Sequence, residues 1–99
     1  MKPIRWGILG TGAIAKAFAE ALKETEGELV AVASNTESRA MEFCDLYDCS
    51  PILGYQNLIS HPEIDAVYIA TPHPSHFELS AECLRSQKAV LCEKPLSMN

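Results

Sequence analysis

Short apolar segments alternate with longer amphipathic segments along the whole chain. Glu28–Ser34 and Ala66–Ala70 are apolar on both faces, which is typical of strands inside a parallel sheet. Glu37–Tyr47 instead repeats its apolar residues at helical spacing. The pattern predicts the order β-α-β-α-β-α-β-α-β. The expected strands are Ile4–Leu9, Glu28–Ser34, Ser50–Tyr55, Ala66–Ala70 and Lys88–Cys92, and the expected helices are Gly12–Lys23, Glu37–Tyr47, Gln56–Ser60 and Pro74–Gln87.

Strands that alternate with helices predict an α/β fold. Parallel neighbours must be joined by crossovers, and helical crossovers cover both faces of the sheet. We therefore expect residues 1–99 to form a single domain around a doubly wound, Rossmann-like parallel sheet. In the last helix we expect Phe77, Ala81 and Leu84 to face that sheet, because they recur at helical spacing.

Composition excludes several classes of partner. The net charge is −5, and the eight Lys and Arg residues are scattered, whereas nucleic-acid binding needs clustered cations. The apolar stretches are far shorter than the ~20 residues that cross a bilayer. A Gly-containing strand and then a helix follow the amino terminus, not the core of a signal peptide. We expect a cytoplasmic protein that binds neither nucleic acid nor membrane.

The four cysteines indicate neither a zinc site nor a disulfide framework. No two of them have the two-residue spacing of a zinc knuckle, and no secretory signal precedes them. We expect reduced structural thiols and no metal. The four are Cys44, Cys49, Cys83 and Cys92.

A glycine-rich turn follows the first predicted strand. Gly10, Gly12 and Ala15 fit the pattern G-x-G-x-x-A. In a dinucleotide-binding domain, the first glycine permits a tight turn and the second lets the backbone approach a pyrophosphate. The small third residue lets helix and strand pack closely. Because the pattern lies between a strand and an amphipathic helix, it predicts dinucleotide binding.

The end of the second strand bears on the choice between NAD and NADP. A carboxylate at this position binds the ribose 2′-hydroxyl of NAD, but the chain has Ser34 and Asn35 there, and Glu37 follows only in the predicted helix. Ser34, Asn35 and Arg39 offer donors to a 2′-phosphate. NADP is therefore the preferred cofactor, with NAD as the alternative.

Two further motifs end strands at the same predicted edge of the sheet. Thr71-Pro72-His73-Pro74-Ser75-His76 follows the fourth strand, and Glu93-Lys94-Pro95 follows the fifth. Ligands lie at the carboxyl ends of parallel strands. Of the histidines, His76 is the better candidate for a proton donor or substrate contact, and Lys94 is placed to polarise a carbonyl or transfer a proton.

Taken together, GILGTGAIA, AVAS, YIATPHPSH and AVLCEKPL resemble the amino-terminal domain of the Gfo/Idh/MocA oxidoreductase family. The resemblance covers essentially all 99 residues, and TPHPSH with a non-acidic second strand is most similar to the dihydrodiol and xylose dehydrogenase branch. It implies reversible hydride transfer between NAD(P) and a sugar, polyol or related diol.

The resemblance also implies roles for individual residues. Catalysis falls to Lys94, which matches the lysine of the EKP motif, and to His76. Cofactor contacts fall to Gly10, Gly12, Ala15, Ser34, Asn35, Arg39, Thr71, Pro72 and Glu93. Members of the family continue into a carboxyl-terminal α+β domain that supplies much of the substrate pocket. We therefore expect this chain to be a truncated cofactor domain that is inactive alone.

Two other expectations follow. A missing sixth strand would leave the edge of the fifth strand open, which predicts a homo-oligomer through that edge or through the missing domain. A non-catalytic module that senses a dinucleotide or docks a partner is the alternative function. The Glu-Lys-Pro motif favours the enzyme, because a sensor has no need of that lysine.

Overall fold

A computed structural model describes residues 3–71 and 76–92 of the chain. The strands are β1 (Arg5–Leu9), β2 (Glu28–Ser34), β3 (Ser50–Leu53), β4 (Ala66–Ile69) and β5 (Ala89–Cys92), and the helices are α1 (Ala13–Leu22), α2 (Glu37–Tyr47), α3 (Tyr55–Ile59) and α4 (His76–Arg85). The predicted order of elements is confirmed, with boundaries that differ by two residues or fewer.

The five strands form one parallel sheet in the order β3-β2-β1-β4-β5. The central strand β1 pairs with β2 on one side and β4 on the other, so that Leu9 lies opposite both Ala33 and Ile69. The order of the sheet reverses between β1 and β4, which is where a doubly wound fold opens a crevice for ligands. The predicted Rossmann-like fold is confirmed.

Alternate side chains of the central strands bury the two faces of the sheet. Ile8, Val32 and Tyr68 point toward one face, which α1 and α2 cover with Ala15, Ala19, Phe43 and Cys44. The next residue of each strand points to the other face, where Leu58, Ile59, Leu79 and Cys83 of α3 and α4 pack. This period of two puts apolar side chains on both faces, so the sheet is covered on both sides.

Aromatic contacts fix α1 against the sheet. The ring of Phe18 stacks on Tyr68 of β4 with centroids 4.0 Å apart, and Trp6 of β1 meets Phe18 edge-on at 5.0 Å. Aromatic pairs contribute about 0.5–1.5 kcal/mol beyond the area that they bury. Together they hold α1 so that its amino terminus lies at the carboxyl edge of β1.

Of the three residues predicted to face the sheet from α4, Leu84 is placed wrongly, and Ala81 is half-buried. Leu84 is 66% exposed, whereas Leu79 and Cys83 are buried against the sheet. The helix ends with Gln87 in a left-handed conformation (φ 63°), and the N–H of Lys88 donates to the carbonyl of Cys83 at 2.9 Å. This closing turn sends the chain directly into β5, with Cys83 on the side facing the sheet. Phe77, the third residue of the prediction, lies in a part of the helix whose side chains are outside the description.

Candidate functional site: the carboxyl edge of the sheet

The glycine-rich turn begins at Gly10, directly after β1. Gly10 has φ +106°, a conformation that side-chain-bearing residues rarely adopt. Its N–H donates to the carbonyl of Ala33 at 2.9 Å. A Cβ at residue 10 would lie 3.0 Å from the carbonyl oxygen of Ala70. The turn is therefore fixed between the ends of β2 and β4, at the crevice where the sheet order reverses.

Gly12 precedes α1 as its N-cap and faces open space. A Cβ there would have no protein atom within 4 Å, so packing within the described part of the chain does not require glycine. No side chain caps α1, and its first turn has no acidic residue. The free N–H groups and positive end of the helix dipole are suited to an anion. The space above Gly12 thus fits the pyrophosphate of a dinucleotide.

Ala15 holds α1 close to the sheet. It is fully buried and packs in the cluster that contains Ile8 and Val32. A small residue at this point permits the close approach of helix and strand that the G-x-G-x-x-A pattern predicts. Gly10, Gly12 and Ala15 therefore serve the turn in three different ways: conformation, open space and packing.

The residues after β2 differ in their accessibility. Ser34 is 6% exposed, and its Oγ accepts the N–H of Thr36 at 3.0 Å. Asn35 and Arg39 are exposed. Glu37 is the first residue of α2, as the sequence predicted, so no carboxylate lies at the tip of the strand. Of the expected 2′-phosphate contacts, Asn35 and Arg39 are open to a ligand, and Ser34 takes part in the turn beneath them.

A groove of about 260 Å³ separates the glycine-rich turn and α1 from α2. Lys16 and Arg39 line it from opposite helices and are both exposed. Within residues 3–71 and 76–92, neither cation is held by an ion pair. The remaining lining residues are Thr11, Gly12, Glu42, Phe43 and Leu46.

Lys16 is a candidate that the sequence analysis missed. It lies one turn beyond Gly12, and its backbone N–H donates to the Gly12 carbonyl at 3.0 Å. Its spacing from Gly12 was the available signal, because residues four apart share one face of a helix. The sequence alone does not show that this face of α1 lies toward α2, which depends on how the two helices pack.

The end of β4 lies beside the glycine-rich turn. The N–H of Ala70 donates to the carbonyl of Leu9 at 2.9 Å, and the next residue, Thr71, is 7% exposed. The backbone of His76 begins α4. Pro72 and the whole of Glu93-Lys94-Pro95 lie outside the described residues. The roles assigned to these residues therefore stay predictions.

The described residues hold neither a cluster of metal ligands nor a membrane-spanning helix. No three His, Cys, Asp or Glu side chains in that part of the chain are grouped to hold a metal ion. Nor is any helix there both long and apolar enough to pass through a bilayer.

A glycine-rich turn between β1 and an uncapped helix, at the switch point of a parallel sheet, is the geometry of a dinucleotide site. The sequence model described as "Oxidoreductase family, NAD-binding Rossmann fold" matches residues 4–99. The chain belongs to the Gfo/Idh/MocA family. The predicted resemblance is thereby confirmed.

Two curated family relatives share about the same identity with the chain. A trans-1,2-dihydrobenzene-1,2-diol dehydrogenase of Bos taurus is 40% identical over 100 residues. A dTDP-3,4-didehydro-2,6-dideoxy-alpha-D-glucose 3-reductase of Saccharopolyspora spinosa is 40% identical over 98 residues. Each alignment covers 97% of this chain and 30% of the relative. The chain therefore spans about a third of the length of these enzymes.

Solved structures give the same fold. A 3-ketoreductase from Actinomadura kijaniata in complex with NADP and TDP-benzene aligns with a TM-score of 0.90 and 37% identity over 96% of this chain and 30% of that one. A biliverdin reductase from Synechocystis in complex with biliverdin and NADP+ aligns with a TM-score of 0.87 and 36% identity over the same shares. The similarity thus lies in the amino-terminal, cofactor-binding part of these proteins.

Proposed function

We propose that this chain is the NADP-binding domain of a dehydrogenase or reductase that acts on a diol or sugar. One observation carries the proposal. The exposed cations Lys16 and Arg39 line a groove that begins at Gly12, beside a helix amino terminus with space for a ligand. A pyrophosphate over Gly12 would place the adenosine end of the cofactor near the end of β2.

The charges of the groove favour a 2′-phosphate over a free 2′-hydroxyl. Lys16 and Arg39 are positive and Glu42 is negative, so the groove carries a net positive charge. The tip of β2 holds Ser34 and Asn35, with no carboxylate to repel a phosphate. Arg and Lys are the usual partners of phosphate groups in proteins. The similar 3-ketoreductase and biliverdin reductase also hold NADP and NADP+ in their structures.

The bound nicotinamide supplies the hydride chemistry, and the protein supplies position and electrostatics. On this proposal, Gly10, Gly12 and Ala15 shape the cradle, while Asn35, Arg39 and Lys16 hold the adenosine end. Thr71, Pro72 and Glu93 follow strands that end at the same edge as the nicotinamide. Lys94 polarises the substrate carbonyl or moves its proton, and His76 takes part in proton transfer.

The substrate class follows from the relatives rather than from a pocket in this chain. The names of the curated relatives give a dihydrobenzenediol and a dideoxy nucleotide sugar as the compounds on which those enzymes act. The diol carries secondary alcohols, and the didehydro sugar carries ketones in place of secondary alcohols. We infer a secondary alcohol or ketone of a diol or sugar as the reacting group.

A titration of the chain with NADPH and with NADH, followed by nicotinamide fluorescence, tests the proposal. We expect saturable binding in which NADPH is the tighter ligand by about tenfold, the ratio that 1.4 kcal/mol gives. Tighter binding of NADH would overturn the assignment of NADP. The absence of binding by a chain with a folded circular-dichroism spectrum would overturn the proposal that this domain binds the cofactor.

Location and self-association belong to the same proposal. We propose a cytoplasmic protein, in which reducing conditions keep Cys44 and Cys49, whose sulfur atoms are in contact, as thiols. We also propose that a second copy pairs along the outer edge of β5. That strand is at the end of the sheet order, and Leu91 on it is 46% exposed.

A further inference from the structure

Two cysteines meet where α2 ends and β3 begins. The Sγ atoms of Cys44 and Cys49 are 2.8 Å apart, and Cys49 donates its S–H to Cys44. The backbone between them is a closed turn. The N–H of Asp48 donates to the carbonyl of Cys44 at 2.7 Å, and Asp48 has φ 58°. The left-handed turn that ends α2 therefore brings the two sulfur atoms together locally.

The two thiols have different surroundings. Cys44 is 6% exposed and lies in the apolar cluster with Phe43 and Val32, whereas Cys49 is half-buried and packs against that cluster. The hydrogen bond from Cys49 lowers the pKa of the Cys44 thiol. Donating that bond, together with burial, raises the pKa of Cys49. Cys44 is accordingly the sulfur that more readily becomes a thiolate, which is the nucleophilic form.

We propose that Cys44 and Cys49 form a reversible oxidation site, at which hydrogen peroxide converts the two thiols to an intrachain disulfide. The sulfurs must approach by only about 0.8 Å to reach a disulfide bond length. Cys49 is half-buried at the edge of the cluster, so on this proposal the oxidant approaches Cys44 from the solvent side past Cys49. Hydrogen peroxide is close to water in size and is therefore suited to a site this enclosed.

The reaction proceeds in two balanced steps. The Cys44 sulfur attacks one peroxide oxygen and the O–O bond breaks, which leaves a sulfenic acid on Cys44 and releases one water. The Cys49 sulfur then attacks the Cys44 sulfur, so that the S–S bond forms, the S–O bond breaks and a second water leaves. Two thiols lose two electrons, and one hydrogen peroxide is reduced to two water molecules.

The site is independent of the cofactor chemistry but close to the cofactor groove. Phe43, next to Cys44 in α2, lines that groove. The disulfide would fasten the last turn of α2 to β3 without involving Lys16 or Arg39. Its formation can therefore be measured in the chain without cofactor, and failure of the proposed function would not affect the result.

Peptide mapping tests the site. The chain is treated with hydrogen peroxide, remaining thiols are alkylated, and the chain is cleaved on the amino side of Asp45 and Asp48, which separates the two cysteines. We expect the Cys44 and Cys49 peptides to remain joined until dithiothreitol is added. We expect this pair to react at least about tenfold faster than Cys83, which is fully buried and serves as the internal reference.

A serine variant isolates the first step. In Cys49→Ser, the joined peptides should disappear and dimedone should label Cys44 as its sulfenic acid. The unsubstituted chain decides the proposal even if that variant does not fold. Recovery of both cysteines in alkylated form after peroxide treatment would overturn it, as would a disulfide that joins two chains instead of one.

Discussion

Gly10 lies directly against the carbonyl of Ala70, so that a Cβ on residue 10 would be 3.0 Å from the Ala70 oxygen. The contact joins the glycine-rich turn after β1 to the end of β4, on the two sides of the point where the sheet order reverses. Gly10 also has φ +106°. Conformation and space both require glycine there, whereas Gly12, two residues later, has neither requirement within the described chain.

The two glycines therefore give opposite predictions. Gly10→Ala should destabilise the fold by about 1–3 kcal/mol, because it forces a side chain into a disfavoured conformation. Gly12→Ala should leave the melting temperature nearly unchanged but weaken NADPH binding by at least about tenfold, since its methyl group would occupy the space that we propose for the pyrophosphate. Thermal melts and fluorescence titrations of both variants check the pair. Unchanged NADPH affinity in Gly12→Ala would contradict the placement of the pyrophosphate.

If the groove between α1 and α2 holds the 2′-phosphate, substitutions in it should weaken only ligands that carry this phosphate. Binding of 2′,5′-ADP should weaken by about tenfold or more in Arg39→Ala and in Lys16→Ala, because a charge-assisted hydrogen bond contributes about 1.5–3 kcal/mol. Binding of 5′-ADP should change little. Isothermal titration measures both ligands.

The matched control for Lys16 is Lys23→Ala. Lys23 is an exposed cation at the end of the same helix, 3.8 Å from Glu20 and outside the groove. That variant should bind 2′,5′-ADP as the parent does. If Lys16→Ala and Lys23→Ala lose equal affinity, the effect is one of net charge, and Lys16 does not contact the phosphate.

Sequence patterns predicted the sheet better than they predicted which helix faces pack against it. The strands β2 and β4 are apolar on both faces, a pattern typical of strands inside a parallel sheet that is covered on both sides. Their positions were confirmed. In α4, two apolar stripes compete, and the sequence offers no way to choose Leu79 and Cys83 over Leu84. The choice depends on the closing turn at Gln87 and on the direction of β5.

The residues of the candidate site also divide into those that the sequence predicted and those that only the packing of the helices reveals. Gly10, Gly12 and Ala15 were predictable because a dinucleotide-binding turn restricts residue types at all three positions: by conformation at Gly10, by the approach of the ligand at Gly12 and by packing at Ala15. Lys16 was not predictable, because its relevance depends on how close α2 comes to α1. The pairing of Cys44 with Cys49 was missed for a similar reason. Five residues separate them in sequence, and only the left-handed turn at Asp48 brings the sulfurs together.

Lys94 carries the catalytic prediction. In the enzyme that contains this domain, Lys94→Met should lower kcat by about 10²–10⁴, the range that a general acid or base supplies. NADPH affinity should stay within about twofold, since the cofactor contacts of the glycine-rich turn remain. Single-turnover kinetics with fluorescence titration separates the two effects. Unchanged turnover would remove Lys94 from the catalytic machinery.

The outer edge of β5 predicts concentration-dependent association. The unpaired N–H and C=O groups of an exposed strand edge are a template for pairing with another chain, and a charged side chain is one device that prevents it. Sedimentation equilibrium should show an apparent mass that rises with concentration, and Leu91→Lys should suppress that rise. Leu53→Lys is the control on the opposite edge of the sheet, where Leu53 of β3 is 54% exposed. A monomer at every concentration, or equal suppression by both variants, would argue against pairing at β5.

An ion pair between Arg5 and Asp65, at the amino-terminal edge of the sheet, predicts that stability depends on pH. Asp65 accepts three hydrogen bonds from Arg5: from the backbone N–H at 2.9 Å, from Nε at 3.2 Å and from Nη2 at 3.1 Å. The hydrogen bonds from the Arg5 side chain lower the pKa of this carboxyl below its ordinary value of 3.8. A lowered pKa stabilises the fold fully above pH 3.8, and this stabilisation is lost as the pH falls through the folded pKa.

Asp65→Asn should therefore lower the melting temperature at neutral pH, and the difference from the parent should shrink as the pH falls below 3.8. Because both side chains are about 40% exposed, the effect should also weaken at high salt. Asp45→Asn, an exposed carboxyl on α2 with no ion pair in the described part of the chain, is the control. A difference for Asp65→Asn that stays constant from neutral pH to about pH 3 would show that the carboxylate charge is not what stabilises this edge.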